Sequence, residues 1–299
     1  MFLSPVFTPI PMPSLKEVKT RIASVNNTRK ITSAMKMVAS SKLHKAQQSI
    51  ENMRPYESRM SRMMTAFVGS MEGELHTPYA QQRSVKRVAI VVYTSNSSLC
   101  GGFNANAIRA LRTKVEQYQS EGIEVARVIA LGKKGGDAAR KLGFADSDGH
   151  GALLDHPTFQ PVADIAEELM KQFVDGEIDQ VDIIYHHFKS SASQVLTQET
   201  FLPLQLPKAT AQAGTSNDYI VEPSRDAVVE KLIPGVLRLQ LYTALLDSLA
   251  SEHAARVIAM QIATDNADEL LQELTLTYNK TRQQAITTEL LDIVGGSMQ

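Results

Sequence analysis

The sequence has little of what usually betrays chemistry. One cysteine, Cys100, in 299 residues excludes an internal disulfide and a two-thiol redox switch, and it points to a reducing compartment. No apolar run approaches the roughly eighteen residues of a membrane span. The opening MFLSPVFTPIPMP lacks the basic n-region and long apolar core of a signal peptide, and it lacks the arginines of a transit peptide. Residues 1–13 read as an N-terminal extension, with Met12-Pro13 as the candidate native start. A net charge of −1 argues against a general nucleic-acid or membrane-surface binder.

Helix breakers are also scarce where it matters. From Ser251 to Gly296 there is no proline, and no glycine before the closing Gly295-Gly296. Leu271, Leu274, Tyr278, Thr281 and Ala285 alternate spacings of three and four, which places them on one helical stripe. Counted back to Leu237, this predicts a helix of roughly fifty-eight residues, on the order of 85 Å at 1.5 Å per residue. A helix of that length needs a partner along much of it.

The other end of the chain supplies one. From Ser14 to about Met64 the apolar residues Leu15, Val18, Ile22 and Val25 repeat at three and four. A phase slip near Thr28 is predicted, with the stripe resuming at Ile31, Met35 and Val38, then at Ala46, Ile50 and Met53, and extending through Met60, Met64 and Phe67. Residues 14–62 carry eleven Lys and Arg against three acids, whereas 224–299 carry six against ten, so the two ends attract. They read as one antiparallel coiled coil, the alternative being two long helices in a globular bundle. The division expected is an N-terminal coiled-coil helix over 14–70, a globular domain over 71–223 and a C-terminal coiled-coil helix over 224–299.

The middle alternates strand and helix. Strands are predicted at Val85–Ser95, Glu124–Gly132, Val181–Phe188 and within SQVLTQETFLPLQLP, where Pro203 marks an edge or an end. Helices are expected at Ala105–Gln119, at Lys133–Lys141 and from Pro161 to Val174. Ala145–Phe159 reads as a loop and Pro207–Asn217 as a flexible connection, with DYIVEPS closing the region. The pattern is that of a Rossmann-like α/β unit with a largely parallel sheet, inserted between the coiled-coil arms.

Candidate chemistry in this unit is thin. Leu99-Cys100-Gly101-Gly102-Phe103-Asn104 is a glycine turn between strand and helix, which can cradle phosphate. It matches neither G-x-G-x-x-G nor a P-loop, and a tight turn that needs glycine is the simpler reading. Cys100 has no nearby His in sequence and reads as a buried structural thiol. His186 and His187, adjacent on a strand, point to opposite faces and cannot chelate together. His150 and His156 share a loop with Asp146, Asp148 and Asp155, at spacings that specify no metal. No paired carboxylates or Ser/His/Asp set stands out.

Three stretches together carry a resemblance: IASVNNTRKITSAMKMVASSKL (22–43), LCGGFN (99–104) and SEHAARVIAMQIATDNADELLQELTLTYNKTRQQAIT (251–287). In this order and at these separations they resemble the gamma subunit of F-type ATP synthase over essentially the whole chain from Met12. The resemblance implies a non-catalytic rotor shaft, without cofactor or metal, standing inside a ring of three alpha and three beta subunits. It implies further contacts with the epsilon and delta subunits and with the c-ring of Fo. The shaft would couple proton translocation to ATP synthesis and hydrolysis on the beta subunits. The expected location is the cytoplasmic face of the bacterial inner membrane, held there peripherally through Fo. By motif position, Arg282, Gln283, Thr287 and Glu289 match the family's contacts with the surrounding sleeve. Met35 and Arg256 match the region facing the acidic loop of the beta subunit, and Lys30, Lys36, Lys42 and Lys45 would face those acidic loops. One departure stands out: Ser95-Asn96-Ser97-Ser98 replaces an acidic–basic pair common before LCGG, so any salt bridge of that pair is absent. The redox insert of chloroplast relatives is absent too. The rival readings are a phosphate- or nucleotide-binding α/β enzyme with a coiled-coil arm, and a free-standing coiled-coil tether.

Overall fold

The computed structural model describes residues 14–69, 77–144, 150–205 and 225–296. The expected extension over 1–13, the connection at 207–217 and DYIVEPS lie outside the described residues, as do Asp146 and Asp148. The chain divides into two compact units, one of residues 1–37 with 259–299 and one of residues 38–258.

Two helices run through both units. Helix α1 spans Leu15–Gly69, with Pro55 inside it, and α6 spans Arg225–Gly296, with Pro234 inside it. α6 begins before Leu237, the point to which the unbroken stripe is counted back. Proline forfeits only its own N–H and crowds the preceding turn, which a helix anchored by packing absorbs. Ile233 and Leu237, either side of Pro234, are both buried completely.

In the first unit the described parts of α1 and α6 pair antiparallel. Arg29 Nη1 meets Asp268 Oδ1 at 2.9 Å, the Thr32 and Thr264 hydroxyls meet at 2.9 Å, and Lys36 Nζ donates to Gln261 Oε1 at 2.8 Å. On α1 the covered positions are Val18, Ile22, Val25, Arg29, Thr32 and then Met35 with Lys36. This alternation of four and three has no slip, so the predicted phase change near Thr28 is wrong. Ile31 is 60% exposed whereas Thr32 is 8% exposed, so the polar residue takes the seam and the apolar one faces outward. Polar seam residues fix the register of a coiled coil at a cost in stability, and they hide the heptad from a search for apolar repeats. On α6 the predicted stripe Leu271, Leu274, Tyr278, Thr281 and Ala285 is the covered face.

The second unit is built on a four-stranded sheet in the order β2-β1-β3-β4. Its strands are β1 (Arg87–Tyr93), β2 (Glu124–Leu131), β3 (Gln180–Ser190) and β4 (Ser193–Leu202). β1 pairs parallel with β2 and β3, and β4 closes the edge antiparallel to β3. The helices are α2 (Phe103–Ser120), α3 (Lys133–Lys141), α4 (Gly151–Asp155) and α5 (Phe159–Val174). α4 lies inside the stretch read from sequence as loop. Alternate residues of β1 explain its unbroken apolar run. Val88, Ile90 and Val92 pack with Ala107, Leu111 and Val115 of α2, whereas Ala89, Val91 and Tyr93 join α5 and α6 on the opposite face. From Val38 onward α1 contributes Leu43, Ile50 and Met64 to that second core.

Candidate functional site

Most residues singled out by sequence lie on the surface of the paired helices in the first unit. Met35 is half-buried beside the seam, and Lys36 is tied to Gln261. Arg282, Gln283, Thr287 and Glu289 are all exposed on α6, and the Thr287 hydroxyl donates to the Gln283 carbonyl at 2.9 Å. Between Gln261, level with Lys36, and Arg282 lie twenty-one steps of α6, or about 31 Å at 1.5 Å per residue. These are therefore two stations along the helix pair and form no single site. In the register set by Arg29–Asp268 and Lys36–Gln261, Leu15 stands level with Arg282. From Gln283 to Gly296, α6 has no described residue of α1 opposite it, and Ile286, Leu290 and Ile293 are 48%, 57% and 68% exposed.

Arg256 belongs to the second unit and is only 8% exposed. Its Nη2 donates to Glu252 Oε1 at 2.6 Å, and its Nη1 donates to the Ser98 carbonyl at 2.5 Å. Glu252 is itself 7% exposed. Burial holds its carboxyl above the usual range, opposed by the hydrogen bond and charge of Arg256 and by the charge of Lys42. The guanidinium is thus committed within the chain, tying α6 to the loop that follows β1. Sequence offered a clue in the i, i+4 spacing of Glu252 and Arg256; the Ser98 carbonyl left no sequence signal.

That loop shows what stands in place of the missing acidic–basic pair. Ser95 N–H donates to Asn104 Oδ1 at 2.9 Å, Asn104 Nδ2 donates to the Ser97 carbonyl at 3.2 Å, and Asn96 Nδ2 donates to the Gly151 carbonyl at 2.8 Å. Neutral hydrogen bonds plus Arg256 hold the segment. Gly101 has φ +58°, so the glycine turn serves the backbone, and Cys100 is buried beneath it at 1% exposure. The helix N-terminus following β2 is occupied from within. Gly135 N–H donates to Thr94 Oγ1 at 2.8 Å, Lys133 N–H donates to Asn96 Oδ1 at 3.2 Å, and Lys134 N–H donates to the Ser95 carbonyl at 3.1 Å. Donors that would cradle a phosphate there are already satisfied.

The histidines divide as their strand positions require. His186 stacks on Phe103 with ring centroids 4.4 Å apart, and burial pushes it down to about 4. His187 turns the other way, with Nδ1 2.5 Å from Asp247 Oδ2. Asp182, buried in β3, is spent on Lys114, Tyr118, Gln180 and Thr200. Among the described residues, no group of three His, Cys, Asp or Glu is placed to hold a metal ion, and no helix is long and apolar enough to cross a membrane.

Comparison with known proteins adds the family. The family model described as ATP synthase matches residues 14–298. The ATP synthase gamma chain of Phocaeicola vulgatus is 57% identical over 289 residues, covering 96% of this chain and all of the relative. That of Flavobacterium johnsoniae is 46% identical, covering 96% of this chain and 98% of the relative. Among solved structures, a chain from the central stalk and c-ring of Tetrahymena thermophila mitochondrial ATP synthase superposes with a TM-score of 0.55. It is 26% identical and covers 78% of this chain and 99% of that one. A chain of the Euglena gracilis mitochondrial ATP synthase reaches a TM-score of 0.62 over 95% of this chain and 93% of that one, at 23% identity, and bears on the fold alone. A polar-seamed antiparallel helix pair, a mixed sheet domain between its two helices in sequence, and near-complete coverage of the relatives agree: this chain belongs to the family of ATP synthase gamma chains, the central-stalk rotor subunits of F-type ATP synthase.

Proposed function

We propose that this chain is a non-catalytic shaft that turns inside a ring of three alpha and three beta subunits, coupling proton flow through Fo to ATP synthesis and hydrolysis on the beta subunits. Its foot would meet epsilon and the c-ring, delta would complete the assembly, and the complex would sit at the cytoplasmic face of the bacterial inner membrane. The working parts are the helices over 14–70 and 224–299, and the globular domain over 71–223 is the base. The observation that carries this reading is the outer surface of the first unit, where apolar side chains stand among charged ones. Met37, Ile262 and Leu276 are 67%, 54% and 72% exposed there, so the surface offered to a ring is chemically uneven along its length. A shaft of uneven surface makes different contacts with each ring subunit and so biases their conformations, which is population shift.

The contact set proposed is Met35 and Lys36 at one station and Arg282, Gln283, Thr287 and Glu289 at the other, with Lys30, Lys42 and Lys45 offering positive charge to acidic loops. Arg256 contributes by holding the Ser98 segment on α6. Co-purification of the full chain with three alpha and three beta subunits tests the assembly, and a chain that stays monomeric in their presence overturns it. Met35→Lys tests the contacts, because it adds a charge beside Lys36. ATP-driven proton pumping should fall while the unfolding midpoint of the chain changes little, and unchanged pumping removes Met35 from the contact set.

A further inference from the structure

In the first unit α6 outruns its described partner. Beyond Arg282, which stands level with Leu15, it continues to Gly296, about 21 Å further at 1.5 Å per residue. Ile286, Leu290 and Ile293 follow at spacings of four and three and are 48%, 57% and 68% exposed, so they form one uncovered apolar stripe. The stripe does not continue the seam. Carrying the spacing of Tyr278, Thr281 and Ala285 onward reaches Thr288 and Asp292, both exposed and polar, and the apolar stripe lies about 100° round the helix from them. A helical partner laid along the seam would meet a hydroxyl and a carboxylate there and leave the stripe bare.

We propose that residues 1–13 lie along this stripe as an extended strap. α1 runs antiparallel to α6, so the chain before Ser14 leaves α1 level with Arg282 and on the side toward Gly296. MFLSPVFTPIPMP carries no charged side chain, and Phe2, Leu3, Val6, Phe7, Ile10 and Met12 are large and apolar. Pro5, Pro9, Pro11 and Pro13 fix φ and remove donors, so the segment cannot prolong α1 as a helix and suits polyproline geometry, which is tied to no heptad. At about 3.1 Å per residue these residues reach roughly 40 Å, which spans the tip and leaves length to step round from the seam to the stripe. Packing the two together removes from water two apolar surfaces that neither segment can hide alone. The strap thickens the end of the helix pair without any other subunit, so it goes beyond the contact set proposed for the shaft.

The chain contains no tryptophan, so Leu290→Trp places a single fluorescent reporter on the stripe. Its emission should be blue-shifted in the full chain relative to the same variant of a chain starting at Met12. Adding Phe7→Asp to the full chain should return the emission to the red. Leu276→Trp, at a position 72% exposed and short of the tip, is the control and should not respond to either change. Amide exchange over 286–293 should be about tenfold slower in the full chain than in the chain starting at Met12. The covered surface is a helix end, so the strap resists fraying and leaves the global unfolding midpoint where it is. Equal emission or equal exchange with and without residues 1–11 overturns the proposal. A blue shift that grows with protein concentration also overturns it, by making a second copy the occupant. Each measurement uses the chain alone, so failure here leaves the rotor reading to the co-purification.

Discussion

Replacing Arg256 with methionine removes a charge from a nearly closed site while keeping most of the volume. Two groups lose their partner: Glu252, whose side chain is 9% exposed, and the Ser98 carbonyl. Stripping one member from a buried ion pair costs about 3–5 kcal/mol, and an unpaired carbonyl adds about 1 kcal/mol. Glu252 has an escape, because it can take up a proton. From an unfolded value near 4.3, protonation costs about 3.7 kcal/mol at pH 7 and about 1 kcal/mol at pH 5. The expected loss is therefore about 5 kcal/mol at pH 7, shrinking to roughly 2 kcal/mol at pH 5. The sign follows from a carboxyl whose folded pKa is raised, since the penalty is present at high pH and fades as pH falls through that pKa. Urea unfolding of the full chain, wild type against Arg256→Met at both pH values, measures it. Adding Glu252→Gln to the variant should recover most of the loss at pH 7, with little further pH dependence. A loss below about 1 kcal/mol at pH 7, or one equal at both pH values, refutes the reasoning.

Three further outcomes are expected. Gly132→Ala should destabilise the second unit by roughly 2–4 kcal/mol in thermal unfolding, because φ is +122° and an added Cβ would meet the Thr94 carbonyl oxygen at 2.3 Å. A chain ending at Arg282 should keep the unfolding midpoint of the full chain, since every described residue removed except Ala285 is exposed, yet lose coupling in the assembled complex. Burial holds His186 and His253 down to about 4, His253 with help from the charges of Lys42 and Arg256. The unfolded chain takes up these protons near pH 6.5 and the folded chain does not. Stability should therefore fall as pH drops from about 6.5 to about 4, by at most roughly 3 kcal/mol for each. The raised carboxyls of Asp247 and Glu252 partly offset this. Imidazole proton shifts that stay flat from pH 7.5 to 5.5 confirm it, and a folded-state midpoint near 6.5 refutes it.

Sequence alone determined the elements whose period is strong and whose environment is uniform. The apolar run of β1 announced a strand covered on both faces, because a parallel strand under helices needs no polar side. The spacing from Leu271 to Ala285 announced the stripe of α6, and adjacency on a strand placed His186 and His187 on opposite faces. Gly101 was legible because few residues other than glycine take positive φ readily. Tertiary structure decided the rest. The seam of α1 runs through Arg29, Thr32 and Lys36, whose partners Asp268, Thr264 and Gln261 lie more than two hundred residues away in sequence. No local pattern could prefer Thr32 over its apolar neighbour Ile31. α6 crosses Pro234 because packing outweighs one lost hydrogen bond, a comparison that local propensity does not contain. The Ser98 carbonyl comes within 2.5 Å of Arg256 only because the fold brings the loop after β1 against α6. Periodicity is local and can be read along the chain, whereas burial and partnership belong to residues that only the fold brings together.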